Sequence, residues 1–147
     1  MNYITEAKKI IREKFKYKTD RAGIPYLYHL YHVADEIKKI YPNDDELYVI
    51  ALLHDLLEDI DSWNENRLAK YFSSRIVRAV SSLTKKKGEK YYDYIQRVKL
   101  NEDAKKVKIE DLKHNMDLNR LINITENDLK RLVKYYSAFL DLNEGAF

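Results

Sequence analysis

The sequence predicts an all-α fold, a compact bundle of about eight helices in a single domain. Three observations carry that reading. Only three Gly and two Pro punctuate the 147 residues, too few turn-formers for a strand-rich protein. Lys, Glu, Leu, Ile and Ala are abundant. No segment alternates apolar and polar residues over the length of a strand, and no internal repeat or low-complexity linker interrupts the chain. This length closes one hydrophobic core without staples.

The elements follow in order, with boundaries near the positions given. A first helix covers about residues 4–15, and the polar stretch Lys18-Thr19-Asp20-Arg21-Ala22-Gly23 ends it. Pro25, tolerated in a first turn, opens a second helix reaching about residue 41. Pro42-Asn43-Asp44 breaks the chain, and Asp44 caps a helix over about 45–60. Ser62 with Glu65 reads as a capping box for about 63–71. Ser74 caps a helix to about 84, and a loop around Gly88 precedes two more helices, about 91–99 and 102–121. Thr125 with Asp128 opens the last, to about 142.

Composition excludes several functions. With no Cys, disulfides, thiolate zinc sites and cysteine nucleophiles are ruled out. The N-terminal residues are too polar for a signal peptide, and no apolar run approaches the roughly 20 residues that span a bilayer. A soluble, cytoplasmic protein is expected. The net charge of +3 is spread along the chain. The basic first helix and the run Lys85-Lys86-Lys87 read as a solvated face and a loop rather than a nucleic-acid surface, although they suit small anionic substrates. The 13 tyrosines read as core and groove filler.

The informative places are those where polar residues break helical periodicity. Leu100, Ala104, Val107, Leu118 and Ile122 share one face of the helix predicted over about 102–121, and Asp111 and Asn115 fall inside that stripe. A carboxylate facing a core costs several kcal/mol unless it is paired or holds a metal. A buried ion pair with a Lys or Arg from another helix explains Asp111 equally well at this point. The run Ala51-Leu52-Leu53-His54-Asp55-Leu56-Leu57-Glu58-Asp59 is apolar around most of its circumference, yet His54, Asp55, Glu58 and Asp59 fill one arc of it. Acids near a helix C-terminus oppose its dipole, and a divalent cation would compensate them. One imidazole with several carboxylates suits Mn²⁺, Fe²⁺, Zn²⁺ or Mg²⁺. On the second helix His29 borders the apolar face, whereas His32 points toward Asp35, Glu36 and Lys39. His114 lies off the Asp111 stripe and stands at most behind the ligands. No HExxH pair, phosphate loop, GxGxxG or GxSxG motif is present.

Four ordered motifs carry a family resemblance. Gly23-Ile24-Pro25-Tyr26-Leu27-Tyr28-His29 is similar to a GxPYxxH pattern, and Ala51 to Asp59 to ALLHDxxED. Val77-Arg78-Ala79-Val80 with Leu83-Thr84-Lys85 is similar to V..VxxLTK, and Val107 to Met116 to VKLADxxHNM. Together they resemble the HD-domain phosphohydrolases, specifically the hydrolase domain of RelA/SpoT proteins and the small stand-alone alarmone hydrolases, from about residue 18 to 134. The resemblance implies a compact HD-domain helical bundle with His29, His54, Asp55 and Asp111 as metal ligands. It also implies Glu58 and Asp59 as the acidic pair that positions and activates water, and Asn115 in the nucleotide site. The implied cation is Mn²⁺, and the implied reaction removes pyrophosphate from the 3′ position of ppGpp.

Lys18 and Arg21 are the candidates to offset substrate charge. The family places two basic residues before the GxPY turn, one of which packs on guanine. This chain has Asp20-Arg21, which leaves the metal chemistry intact and weakens the expectation for guanine. No synthetase or regulatory region accompanies the motifs, so alarmone synthesis is not expected. Two alternatives stay open. One is an HD phosphatase for another nucleotide, such as a deoxynucleoside monophosphate or a 2′/3′-phosphorylated cofactor. The other is a non-catalytic nucleotide- or nucleic-acid-binding module.

Overall fold

The computed structural model describes residues 2–144, and its regular elements are helical throughout. They are α1 (Tyr3–Phe15), α2 (Tyr26–Ile40), α3 (Asp45–Leu53), α4 (Leu56–Asp59), α5 (Glu65–Ala69), α6 (Ser74–Ser82), α7 (Tyr91–Lys99), α8 (Glu102–Asn115) and α9 (Glu126–Leu142), with a 3₁₀ turn at Leu118–Arg120. Among the described residues no helix is long and apolar enough to cross a membrane.

The centre of the molecule is α3. Leu47 and Val49 through Leu53 are fully buried, because this helix packs against α1, α2, α6 and α8 at once. Each Leu, Ile or Val among them contributes about 1.5–3 kcal/mol on burial. The helix starts where Asp44 accepts the Leu47 N–H at 3.1 Å. At its other end it breaks. The His54 N–H bonds to the Ala51 carbonyl, one residue short of the α-helical partner, and hydrogen bonding resumes from Asp59 to Asp55. The single helix expected over about 45–60 is therefore two.

Other boundaries shift in the same local way. Asn64, not Ser62, caps α5 by accepting from the Arg67 N–H at 2.9 Å, and Glu65 instead accepts the Ser81 hydroxyl. Ser73, not Ser74, caps α6, since its hydroxyl also reaches Glu46 at 2.6 Å and ties α6 to α3. The Thr125–Asp128 capping box of α9 forms as expected. The helix expected to run to about residue 121 stops at Asn115. Leu100 and Ile122, assigned to its apolar stripe, are 88% and 82% exposed, while Ala104, Val107 and Asp111 are buried. The turn between α1 and α2 is closed by Asp20, whose Oδ1 accepts the N–H groups of Ala22 and Ile24. Gly23 sits there at φ 82°, a conformation that costs other residues a Cβ clash.

Candidate metal centre and substrate cleft

Three helices and one break converge behind that turn. His29 comes from α2, His54 from the end of α3, Asp55 from the break and Asp111 from α8. His29 Nε2 lies 2.9 Å from Asp111 Oδ1 and 3.8 Å from Asp55 Oδ2. His54 Nε2 lies 3.3 Å from Asp111 Oδ1 and 3.1 Å from Asp55 Oδ2. Ligand atoms of His29, His54 and Asp111 all fall within 4.8 Å of one another. Both Nε2 atoms are buried and make no directed hydrogen bond, although orphaned buried polar atoms are rare. Two unsatisfied imidazole nitrogens converging with the Asp111 carboxylate fit a divalent cation, and Asp55 Oδ2 stands within reach of both nitrogens from one side. The four residues named from the sequence are brought together.

Each of these side chains is held from behind. His54 Nδ1 lies 2.6 Å from the Ala51 carbonyl, which fixes the proton there and leaves Nε2 bare. Lys108 Nζ lies 2.8 Å from Asp111 Oδ2, so the other carboxylate oxygen turns to the histidines. The Tyr26 hydroxyl donates to Asp55 Oδ2. His29 Nδ1 lies 2.7 Å from His114 Nδ1. Burial opposes a charge on His54, yet the carboxylates of Asp55 and Asp111 beside it raise its pKa well above the usual value. Burial alone would raise Asp111, but Lys108 first, then His29 and His54, hold its carboxyl well below the usual range. The site is thus preset for positive charge at its centre. For His114, burial and then Arg120 lower the pKa to about 3, keeping that imidazole neutral.

Glu58 and Asp59 lie on α4, just past the break. Glu58 Oε1 accepts the Lys85 N–H at 2.9 Å, and Asp59 Oδ2 pairs with Lys18 Nζ at 2.8 Å. Burial raises the pKa of both carboxyls, with Asp55 adding to the effect. A raised carboxylate pKa makes a stronger base near neutrality. Beside this cluster opens a cleft of about 430 Å³, lined by the α1–α2 turn, residues 115–121 and α9. Tyr26 and Asn115 line this cleft and also touch the ligands, Asn115 Nδ2 donating to Asp111 Oδ1 at 3.1 Å. Lys18 and Arg21 line it too. All three substrate-contact candidates therefore face one space.

No family model matches the chain. A curated guanosine-3′,5′-bis(diphosphate) 3′-pyrophosphohydrolase of Aquifex aeolicus (strain VF5) is 33% identical over 82 residues, which is 56% of this chain and 12% of that protein. This chain thus spans a small part of the curated relative's length. A solved structure of a metazoan ortholog of SpoT, described as hydrolyzing ppGpp with a role in starvation responses, superposes with a TM-score of 0.76 at 21% identity. The match covers 99% of this chain and 87% of that one. The HD-type fold is shared. The chain resembles ppGpp pyrophosphohydrolases in sequence over about half its length and in fold over nearly all of it.

Against that resemblance the acidic position at Asp20 has a structural explanation. Beyond closing the turn, its Oδ2 faces Arg120 Nη2 at 3.3 Å, and Arg120 Nη1 donates to the His114 carbonyl at 2.9 Å. The side chain thus ties the α1–α2 turn to the segment after α8. Arg21 is half-exposed and pairs with the buried Asp128 of α9, which Arg131 also contacts. Four residues of the site escaped sequence reasoning. Lys108 was findable, because it sits three residues before Asp111 on the same helix face. Tyr26 was read as filler, although it adjoins Pro25 in the first motif. Arg120 and Asp128 meet partners 100 and 107 residues away, which leaves no local signal. His32 was placed outward with Glu36. Its ring instead stacks on His114, with centroids 3.9 Å apart, and Glu36 pairs with Lys39.

Proposed function

We propose that this protein is a divalent-metal-dependent nucleotide phosphohydrolase whose substrate is a guanosine polyphosphate, with pyrophosphate released from the 3′ position of ppGpp. The observation that carries the reading is the pair of unsatisfied Nε2 atoms of His29 and His54, aimed with Asp55 and Asp111 at one point beside a nucleotide-sized cleft. The named activity of the Aquifex relative supports the substrate.

His29, His54, Asp55 and Asp111 hold the cation, with Mn²⁺ the favoured ion for this mixed nitrogen and oxygen set. When bound it supplies Lewis-acid polarisation of a phosphoryl oxygen and a more acidic attacking water. Glu58 would accept a proton from an attacking water, its basicity raised by burial and its orientation fixed by the Lys85 N–H. Asp59, held by Lys18, orients the water from the second side. Lys18 and Arg21 offset phosphate charge at the cleft wall, and Asn115 spans the space between the nucleotide and Asp111.

The test is a nucleotide panel with Mn²⁺, scored separately for phosphate and pyrophosphate. Pyrophosphate from ppGpp is expected, lost in Asp55→Ala and Asp111→Ala while helicity persists. Undiminished turnover by Asp55→Ala would sink the metal-centre reading. One observation favours a second reading. Asp20 is spent on the turn and Arg120, so the cleft lacks the family's second basic residue there. A different nucleotide, such as a deoxynucleoside monophosphate or a phosphorylated cofactor, then becomes the substrate. Release of single phosphates alone would select it, and no metal-dependent turnover on any nucleotide would select a binding module.

A further inference from the structure

The contact between His29 and His114 does more than fill space. Their Nδ1 atoms are 2.7 Å apart, while the ring planes differ by 11° and the centroids are 5.0 Å apart. Nearly coplanar rings meeting edge to edge give that combination. Rings stacked face to face with atoms this close would bring the centroids much nearer. The contact is therefore an in-plane hydrogen bond between two imidazoles, and a bond of this kind needs one proton and one lone pair.

The direction of the bond follows from the metal reading, on which this inference rests. If His29 Nε2 is a ligand it carries the lone pair, so His29 Nδ1 carries the proton and donates. His114 Nδ1 must then accept, with its own proton on Nε2. His114 is built to stay in that pose. Its ring is 8% exposed, one face stacks on His32 at 3.9 Å and 17°, and its carbonyl accepts from Arg120 at 2.9 Å.

We propose that His114 is a positioning residue for the metal centre. It fixes the tautomer and plane of His29 through the Nδ1–Nδ1 hydrogen bond, and His32 is the plate that holds it in register. Imidazole thus does for His29 what the Ala51 carbonyl does for His54. Partners of this kind typically set 10- to 100-fold in metal affinity.

The experiment is calorimetric titration of Mn²⁺ into the full chain and two variants, with thermal melts in EDTA alongside. His114→Phe keeps a flat ring on His32 but removes the acceptor. His114→Asn places an amide oxygen near the lost Nδ1. The expected result is Mn²⁺ binding weakened about 10- to 100-fold in His114→Phe and largely recovered in His114→Asn, with metal-free melting changed little in both. Equal affinity in wild type and His114→Phe would overturn the inference alone, as would equal weakening in both variants. A wild type that takes up no Mn²⁺ would overturn the metal reading and the inference together. Long-range ¹H–¹⁵N spectra of the wild type loaded with diamagnetic Zn²⁺ read the tautomers without any variant. His29 protonated at Nδ1 and His114 at Nε2 are expected, and the reverse assignment would refute the proposal.

Discussion

Lys108→Met tests whether Asp111 is balanced from two sides, by Lys108 at one oxygen and by a cation at the other. Lys108 Nζ is 2.8 Å from Asp111 Oδ2, with the two side chains only 12% and 5% exposed. At an effective dielectric of about 20 the attraction is about 6 kcal/mol, and desolvation of both groups offsets much of it. Removing only the lysine leaves a buried carboxylate facing Asp55, a loss of about 3–5 kcal/mol. Local relaxation relieves part of this, so about 3 kcal/mol is the expected cost in EDTA. For a chain of this size that lowers the melting temperature by roughly 10 °C. A divalent cation restores the missing positive charge, so Mn²⁺ should stabilise Lys108→Met by more than it stabilises the wild type. The wild-type gain is about 2.7 kcal/mol at a hundredfold excess over Kd. The double variant Lys108→Met/Asp111→Asn removes both charges. It should recover much of the metal-free loss while losing the response to Mn²⁺. Denaturant melts of the wild type, Lys108→Met and the double variant, with and without Mn²⁺, measure these differences. Equal Mn²⁺ increments in wild type and Lys108→Met, or no loss in EDTA, would refute the reasoning.

Three further outcomes are expected. Arg21→Ala should raise KM for ppGpp more than it lowers kcat, since a half-exposed guanidinium at the cleft wall contributes mainly ground-state binding; steady-state kinetics decide, and a selective fall in kcat speaks against it. His29→Ala should lose Mn²⁺ binding while His32→Ala keeps it within a few-fold, because of the two His29 alone aims a nitrogen at Asp111 and His32 acts only through His114; calorimetry with the opposite ranking would reassign the ligand. Arg75 bonds Asp44 and Asp103, and its bond to Asp44 lowers that carboxyl pKa below the usual value. The stability it adds is therefore complete above about pH 4 and disappears as pH falls through the lowered pKa. The gap in melting temperature between wild type and Arg75→Ala should accordingly narrow as the pH falls through that lowered pKa, and a gap indifferent to acidification contradicts the assignment.

Most of the fold was legible because helix periodicity and caps are local. Asp44 and the Thr125–Asp128 box start α3 and α9 where side-chain chemistry says they should. Boundaries failed where a tertiary contact outweighed a local one. Ser73 displaces Ser74 as a cap because its hydroxyl is also drawn to Glu46, and Glu65 leaves its capping role for Ser81. The stripe through Leu100 and Ile122 failed for another reason. A helical wheel extends a face indefinitely, whereas α8 ends at Asn115 and its buried apolar residues run only from Ala104 to Leu112.

The site was legible in composition and not in geometry. Its candidate ligands are marked by polar residues on apolar faces, but on a continuous helix His54 and Asp55 point about 100° apart. What lets them converge is the break between Leu53 and Leu56. Nothing in Leu52-Leu53-His54-Asp55-Leu56-Leu57 announces that break, since no Gly or Pro is present. The cause lies elsewhere in the chain. His54 turns its Nδ1 back onto the Ala51 carbonyl, the Tyr26 hydroxyl takes Asp55, and Lys85 takes Glu58 across the next turn. Two of those three partners come from other elements, so the break exists only once the bundle has closed. A local helical preference is thereby given up to bring two donors to one point, the kind of conflict between local and global structure that gathers at functional sites.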